Sequence, residues 1–140
     1  MSKKVRLYTD GGSRGNPGPA ASGAVIFSLN DGEEGQELAT ATHYLGTATN
    51  NQAEYTAVII GLKKAKELAA KEVDVVMDSE LAVRQLNGIY KVKNEDLAKR
   101  FMEIWRLRQD FDQVTFRHVV RAKNKRADAL VNKCLDEQGC

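Results

Sequence analysis

Several chemistries are excluded by what this 140-residue chain lacks. Its two cysteines, Cys134 and Cys140, are too few for a disulfide framework and have no zinc-site spacing. No cluster of histidine with cysteine exists to hold a soft or borderline metal. No apolar stretch approaches the roughly 20 residues of a membrane span. The opening residues Met-Ser-Lys-Lys-Val-Arg run straight into a strand pattern without a signal-peptide core, so a cytoplasmic protein with free thiols is expected. There is no internal repeat, low-complexity tract or linker. With 42% hydrophobic residues the chain has the makings of a core, and one domain over residues 1–140 is expected.

Neither sign of charge dominates, the formal net charge being +2, but the charges are sorted along the chain. Residues 31–80 carry ten acids against four Lys/Arg, whereas residues 91–133 carry twelve Lys/Arg against six acids. Residues 117–126 hold Arg117, Arg121, Lys123, Lys125 and Arg126 with no acid. Such polarity suits a polyanionic ligand better than a neutral metabolite.

The spacing predicts strands over 5–9, 22–29 and 37–45, with an irregular loop over 11–19 between the first two. From residue 51 the period becomes helical, through Tyr55, Val58, Ile59, Leu62, Ala65 and Ala69. A strand over 73–77 precedes a short helix over 79–86, stopped by Asn87-Gly88. A helix over 94–110 would bury Leu97, Phe101, Ile104, Trp105 and Leu107 or Arg108. A strand over 114–120 leads to a final helix, capped by Asn124, with the stripe Ala127, Leu130, Val131, Cys134 and Leu135. The order βββαβααβα predicts an α/β fold, a five-stranded mixed sheet with helices on both faces.

Four acids stand where such a fold could gather them. Asp10 and Asp78 end strands, Glu54 begins the long helix and Asp128 begins the last one. Ligands of open α/β sheets bind beyond the carboxyl ends of strands, and carboxylates gathered there repel unless cations neutralise them. Each acid also has a local explanation. Asp10 can open a turn, Glu54 can close a capping box with Asn51, Asp78 can cap the short helix, and Asp128 can pair with Lys125.

Four runs carry a family resemblance: Tyr-Thr-Asp-Gly-Gly-Ser-Arg-Gly-Asn-Pro-Gly-Pro-Ala, Thr-Asn-Asn-Gln-Ala-Glu-Tyr, Met-Asp-Ser-Glu-Leu-Ala-Val-Arg-Gln-Leu-Asn-Gly and His-Val-Val-Arg-Ala-Lys-Asn-Lys-Arg-Ala-Asp-Ala-Leu-Val-Asn. In this order they resemble the signature blocks of ribonuclease H type 1, and the resemblance covers essentially the whole chain. It implies a ribonuclease H-like fold and a metal-dependent endoribonuclease that hydrolyses the RNA strand of RNA/DNA hybrids, leaving 5′-phosphate and 3′-hydroxyl ends. Asp10, Glu54, Asp78 and Asp128 would hold two Mg²⁺ ions, with Mn²⁺ as a substitute. One ion would lower the pKa of the attacking water and the other would stabilise the departing oxygen. Hard carboxylate oxygens suit these ions. Double-stranded RNA is a further substrate of some short members. A monomer with no membrane and no obligate protein partner is expected. The alternative is a hybrid-binding module of the same fold without catalysis.

By the same matching, Asn16, Asn50, Asn51 and Glu80 would reach the hybrid's minor groove, where 2′-hydroxyls mark the RNA strand, and Thr49 would contact a DNA phosphate. Glu80 stands where glutamine is common. Gly11 and Gly12 would allow close approach to a sugar edge or simply a tight loop, and Asn124 is counted among the substrate contacts. Many relatives insert a basic, tryptophan-rich protrusion between the middle helices. Here a short link with Tyr90, Lys91 and Lys93 replaces it and would make a reduced phosphate contact. The family's mobile-loop histidine matches His118, which alternation also places within the last strand as a core residue. Arg121 is the other candidate for that loop role.

Overall fold

The computed structural model describes residues 4–140, so the lead-in Met-Ser-Lys lies outside the described residues. The strands are β1 (Lys4–Ser13), β2 (Gly18–Asn30), β3 (Glu33–Ala48), β4 (Glu72–Met77) and β5 (Gln113–His118). The helices are α1 (Asn50–Glu67), α2 (Glu80–Leu86), α3 (Glu95–Arg108) and α4 (Lys125–Glu137), with a 3-10 turn at Arg121–Lys123. They form one five-stranded sheet in the order β3-β2-β1-β4-β5. The short links after β1 and β2 force antiparallel pairing, whereas the helical crossovers leave β1, β4 and β5 parallel. Asp31 (φ 53°) and Gly32 (φ 83°) make the two-residue hairpin turn that the Asp-Gly pair signals.

Alternation along β2 sends side chains to both faces. Ala24 and Ile26 join Tyr55, Val58 and Leu62 of α1, with Leu86 of α2 and Leu97 and Ile104 of α3 in the same core. Ala21 instead meets Val131, Cys134 and Leu135 of α4 on the opposite face. Nine of the eighteen residues of α1 are buried. At about 1.5–3 kcal/mol for each large apolar side chain, packing holds this helix more than propensity does. Among the described residues no helix is long and apolar enough to cross a membrane.

Three expectations need correction here. β1 does not give way to a loop after Thr9 but continues through Asp10 to Ser13, because β2 pairs with it as far as Ser13–Ala20. Its pairing with β4 stops at Thr9–Met77, so from Asp10 onward one side of β1 is open. Trp105 lies 49% exposed, because Leu97 and Ile104 take the inner face of α3. His118 is no core residue: it ends β5 and is exposed, while Val114 and Phe116 before it are buried.

Candidate active site

The open side of β1 at Asp10 is where the acids gather. Gly11 and Ser22 bring α1 against the sheet there. The Ser22 hydroxyl donates to the Ala53 carbonyl at 2.6 Å, and Gly11 lies so close to the Ala53–Glu54 peptide that it has no room for a Cβ. Gly11 therefore serves the approach of α1, and its backbone also lines the cleft described below. The α1 capping box uses Thr49 and Gln52, not Asn51 and Glu54, which leaves the Glu54 carboxyl free of capping. Asp78 follows β4 directly, and Ser79 takes over as the cap of α2 by accepting from Ala82 N–H. Asp128 stands in the first turn of α4. Gly23 lets that helix settle on β2, since a Cβ there would lie 3.0 Å from the Ala127 carbonyl oxygen.

Asp10, Asp78 and Asp128 line one cleft of about 390 Å³, together with Gly11, Gly12, Arg14, Asn50, Arg121 and Asn132. Asp10, Glu54 and Asp78 share the adjoining hollow with Thr9 and Ser79. All four acids thus meet around Asp10. Burial pushes the Asp10 carboxyl up to about 8, with further increments from the charges of Asp78 and Asp128, a hydrogen bond with Asp128 and the charge of Glu54. Burial likewise raises Glu54 to about 7, opposed by a hydrogen bond to Ser79 and reinforced by Asp78.

The donor set fits a hard divalent cation. It consists of carboxylate oxygens, and Glu54 Oε2 is buried without a hydrogen-bond partner. Among the described residues no three acidic, His or Cys side chains close into a ready-made metal cage. Mg²⁺ does not need one, because it commonly keeps several waters and is held by one or two carboxylates together with substrate phosphates.

Around the acids, Asn50 Oδ1 accepts from the Ser13 amide (2.9 Å) and hydroxyl (3.0 Å), while the Asn50 N–H donates to Asn16 Oδ1 at 3.0 Å. These bonds leave both side-chain NH₂ groups available to acceptors. The Thr49 hydroxyl is engaged as the α1 cap. Asn16, Thr49, Asn51, Glu80, Lys93 and His118 do not line the cleft. Glu80 is held by Arg84 at 2.8 Å, and its carboxyl is kept below the usual range mainly by that hydrogen bond, with a smaller contribution from His118. His118 stays at the exposed end of β5, whereas Arg121 lines the cleft with a guanidinium nitrogen 3.5 Å from Asp128 Oδ1.

Asn124 also departs from expectation. Its side chain makes no capping bond to α4 and is 1% exposed, so it is not available to a substrate. It turns inward because two acceptors, the Thr9 carbonyl and Asp78, take its amide. Sequence reasoning missed Ser13, Arg14 and Asn132. Asn132 was within reach of it, since it stands one turn after Asp128 on the same helix and donates to Asp128 Oδ2 at 3.4 Å.

A family model described as reverse transcriptase-like matches residues 8–134. A bifunctional protein of Mycobacterium tuberculosis is 44% identical over 133 residues, 95% of this chain and 36% of that protein. The chain therefore spans only about a third of that relative's length. The structure of its N-terminal RNase H domain, solved as a fusion with maltose binding protein, superposes with a TM-score of 0.90 at 44% identity, covering 97% of this chain and 96% of that one. Ribonuclease HI of Halobacterium salinarum is 41% identical over 96% of this chain and 65% of its own length. The crystal structure of RNase H1 from that archaeon gives a TM-score of 0.89 at 42% identity, over 96% of this chain and 98% of that one. LC11-RNase H1 in complex with an RNA/DNA hybrid gives 0.88 at 41% identity, over 97% and 99% of the two chains.

Proposed function

Because this chain belongs to the ribonuclease H type 1 family, we propose that it is a metal-dependent endonuclease that hydrolyses the RNA strand of RNA/DNA hybrids. The observation that carries this reading is the meeting of Asp10 of β1, Glu54 of α1, Asp78 just after β4 and Asp128 of α4 around one cleft and its adjoining hollow. The likeness to a relative solved with an RNA/DNA hybrid supports the substrate. Residues 1–140 act as one catalytic domain and as a monomer, and the products carry 5′-phosphate and 3′-hydroxyl ends.

Two Mg²⁺ ions, or Mn²⁺ in their place, held among the four acids would supply an activated water and neutralise charge at the scissile phosphate. The chain's own residues do the rest. Asp10 and Asp78 are the acids common to the cleft and the adjoining hollow, and Asp10 is the one on which the charges of the other three converge. Asn16 and Asn50, fixed through their oxygens, offer NH₂ donors to minor-groove acceptors, among them the 2′-hydroxyls that distinguish RNA. Arg121 places a positive charge beside Asp128, where it can attract the phosphate and assist its departure. Double-stranded RNA is a second substrate class to be tested on the same site.

The test is cleavage of an end-labelled RNA strand, presented as hybrid, RNA duplex and single strand, with Mg²⁺ or Mn²⁺, alongside Asp10→Asn. Hybrid cleavage that disappears in the variant is expected. Hybrid binding without cleavage under either metal would replace this reading by a catalytically inactive binding module.

A further inference from the structure

We propose that Asn124 is a positioning residue that locks three of the four acids in register, and not a substrate contact. The inference rests on the metal-site reading above. Asn124 is 1% exposed, at the junction between the 3-10 turn and α4. Its Nδ2 donates to the Thr9 carbonyl at 2.8 Å and to Asp78 Oδ2 at 3.3 Å. Both partners are acceptors, so the amide can sit only one way round. Its own carbonyl accepts the Asp128 N–H at 3.1 Å. One residue thus bonds to the peptide that precedes Asp10, to Asp78 itself and to the helical turn that presents Asp128.

This arrangement is locally unfavourable in three ways. The α1, α2 and α3 starts are capped by the side chains of Thr49, Ser79 and Asn94, whereas α4 has no side-chain cap although asparagine stands at the cap position. A capping asparagine stabilises a helix start, and that contribution is forgone here. Lys125 and Arg126 occupy the first turn of α4 and outweigh Asp128 there, against the helix dipole. Asn124 Oδ1 is left buried without a partner. Propensity and capping alone would have kept the side chain outside. Its inward turn is explained by what it ties together: β1, β4 and α4 at the point where their acids meet. The Asp78 oxygen engaged by Asn124 is Oδ2, and a cation held at the site would take the other carboxylate oxygen. Because the donor is neutral, it adds order without supplying the positive charge that the site awaits.

The test is Mn²⁺ titration of the intact protein by calorimetry without substrate, together with kcat and KM on the hybrid and thermal melting. Asn124→Ala should weaken Mn²⁺ binding by about tenfold or more, the range seen when a group orienting a metal ligand is removed. It should lower kcat while leaving KM for the hybrid nearly unchanged. Asn124→Ser separates site from fold, because serine is a good helix cap and can satisfy α4 but is too short to hold Thr9 and Asp78 together. It should keep most of the melting temperature, the new α4 cap offsetting the lost bond to Thr9, yet lose Mn²⁺ affinity. Asn94→Ala, which removes the remote α3 cap, should do the reverse. Wild-type Mn²⁺ affinity in both Asn124 variants would overturn the inference, as would a raised KM with unchanged metal binding, which would restore a substrate role. A wild-type protein that binds no Mn²⁺ would sink the site reading and this inference together, a result distinct from wild-type binding that the variants leave untouched.

Discussion

A Cβ added to Gly11 would lie 2.2 Å from the carbonyl carbon of Ala53. The neighbour is backbone at the start of α1, which cannot yield as a flexible side chain would. Gly11→Ala should therefore lift the beginning of α1 and move Glu54 away from Asp10. The expected cost is about 1–3 kcal/mol, typical of forcing volume into a packed site, seen as a melting temperature several degrees lower and a loss of cleavage. Gly12→Ala is the comparison, because its Cβ would meet only Val131, at 3.8 Å. It should keep the wild-type melting temperature. Equal melting of both variants with wild type would refute the close-packing argument.

The raised acids predict how stability depends on pH. The Asp10 carboxyl rises from its ordinary 3.8 to about 8 and that of Glu54 from 4.5 to about 7. In the unfolded chain both have lost their protons by about pH 5, whereas the folded protein keeps them to about pH 7–8. These two groups bind more protons in the folded state across that window, so without divalent ions their contribution to stability should fall as pH rises from about 4 to about 8. Melting in EDTA should show this decline, Mg²⁺ should reverse it at pH 8 by binding only the folded state, and Asp10→Asn should flatten it. A melting temperature that climbs with pH in EDTA would contradict the crowding of the acids.

The element order and both faces of the sheet were legible because period-2 and period-3.6 patterns alternate cleanly, and the α4 stripe from Ala127 to Leu135 is buried as its spacing required. The four acids were legible through the signature runs, and their places at element ends agreed with that resemblance. What was hidden depends on contacts distant in sequence. The continuation of β1 past Asp10 is imposed by pairing with β2, the reason for Gly11 lies 42 residues away at Ala53, and Asn124 looked like an ordinary helix cap until Thr9 and Asp78 were brought beside it. Trp105 sat on the border of a helical stripe, where spacing alone does not decide between inside and outside.

Arg121 and His118 can be told apart by substitution. Arg121 is 3.5 Å from Asp128 and lines the cleft, whereas His118 stands at the end of β5 and does not line it. Arg121→Ala should lower kcat by about tenfold or more, equivalent to about 1.4 kcal/mol of barrier. His118→Ala should leave kcat close to wild type. The opposite ranking in steady-state cleavage of the hybrid would return the loop role to His118.

Salt dependence tests which basic residues meet phosphate. Arg117, in the acid-free run 117–126, is committed to Asp74 at 3.2 Å, and Arg126 to Glu37 at 2.9 Å. These cations are already neutralised, so counting charges in that run overstates its contribution to polyanion binding. Lys93, by contrast, is exposed in the link between α2 and α3, with no ion pair among the described residues. Each phosphate contact adds about 0.9 to the slope of log affinity against log salt. Lys93→Ala should therefore reduce that slope by about one for hybrid binding while weakening all hybrid sequences alike. Arg117→Ala should leave the slope unchanged and act through stability instead, because it strips a donor from the buried Asp74 carboxylate. Fluorescence-anisotropy titrations of hybrid at several salt concentrations, in Ca²⁺ so as to prevent cleavage, would measure both. An unchanged slope for Lys93→Ala would remove the link from the binding surface.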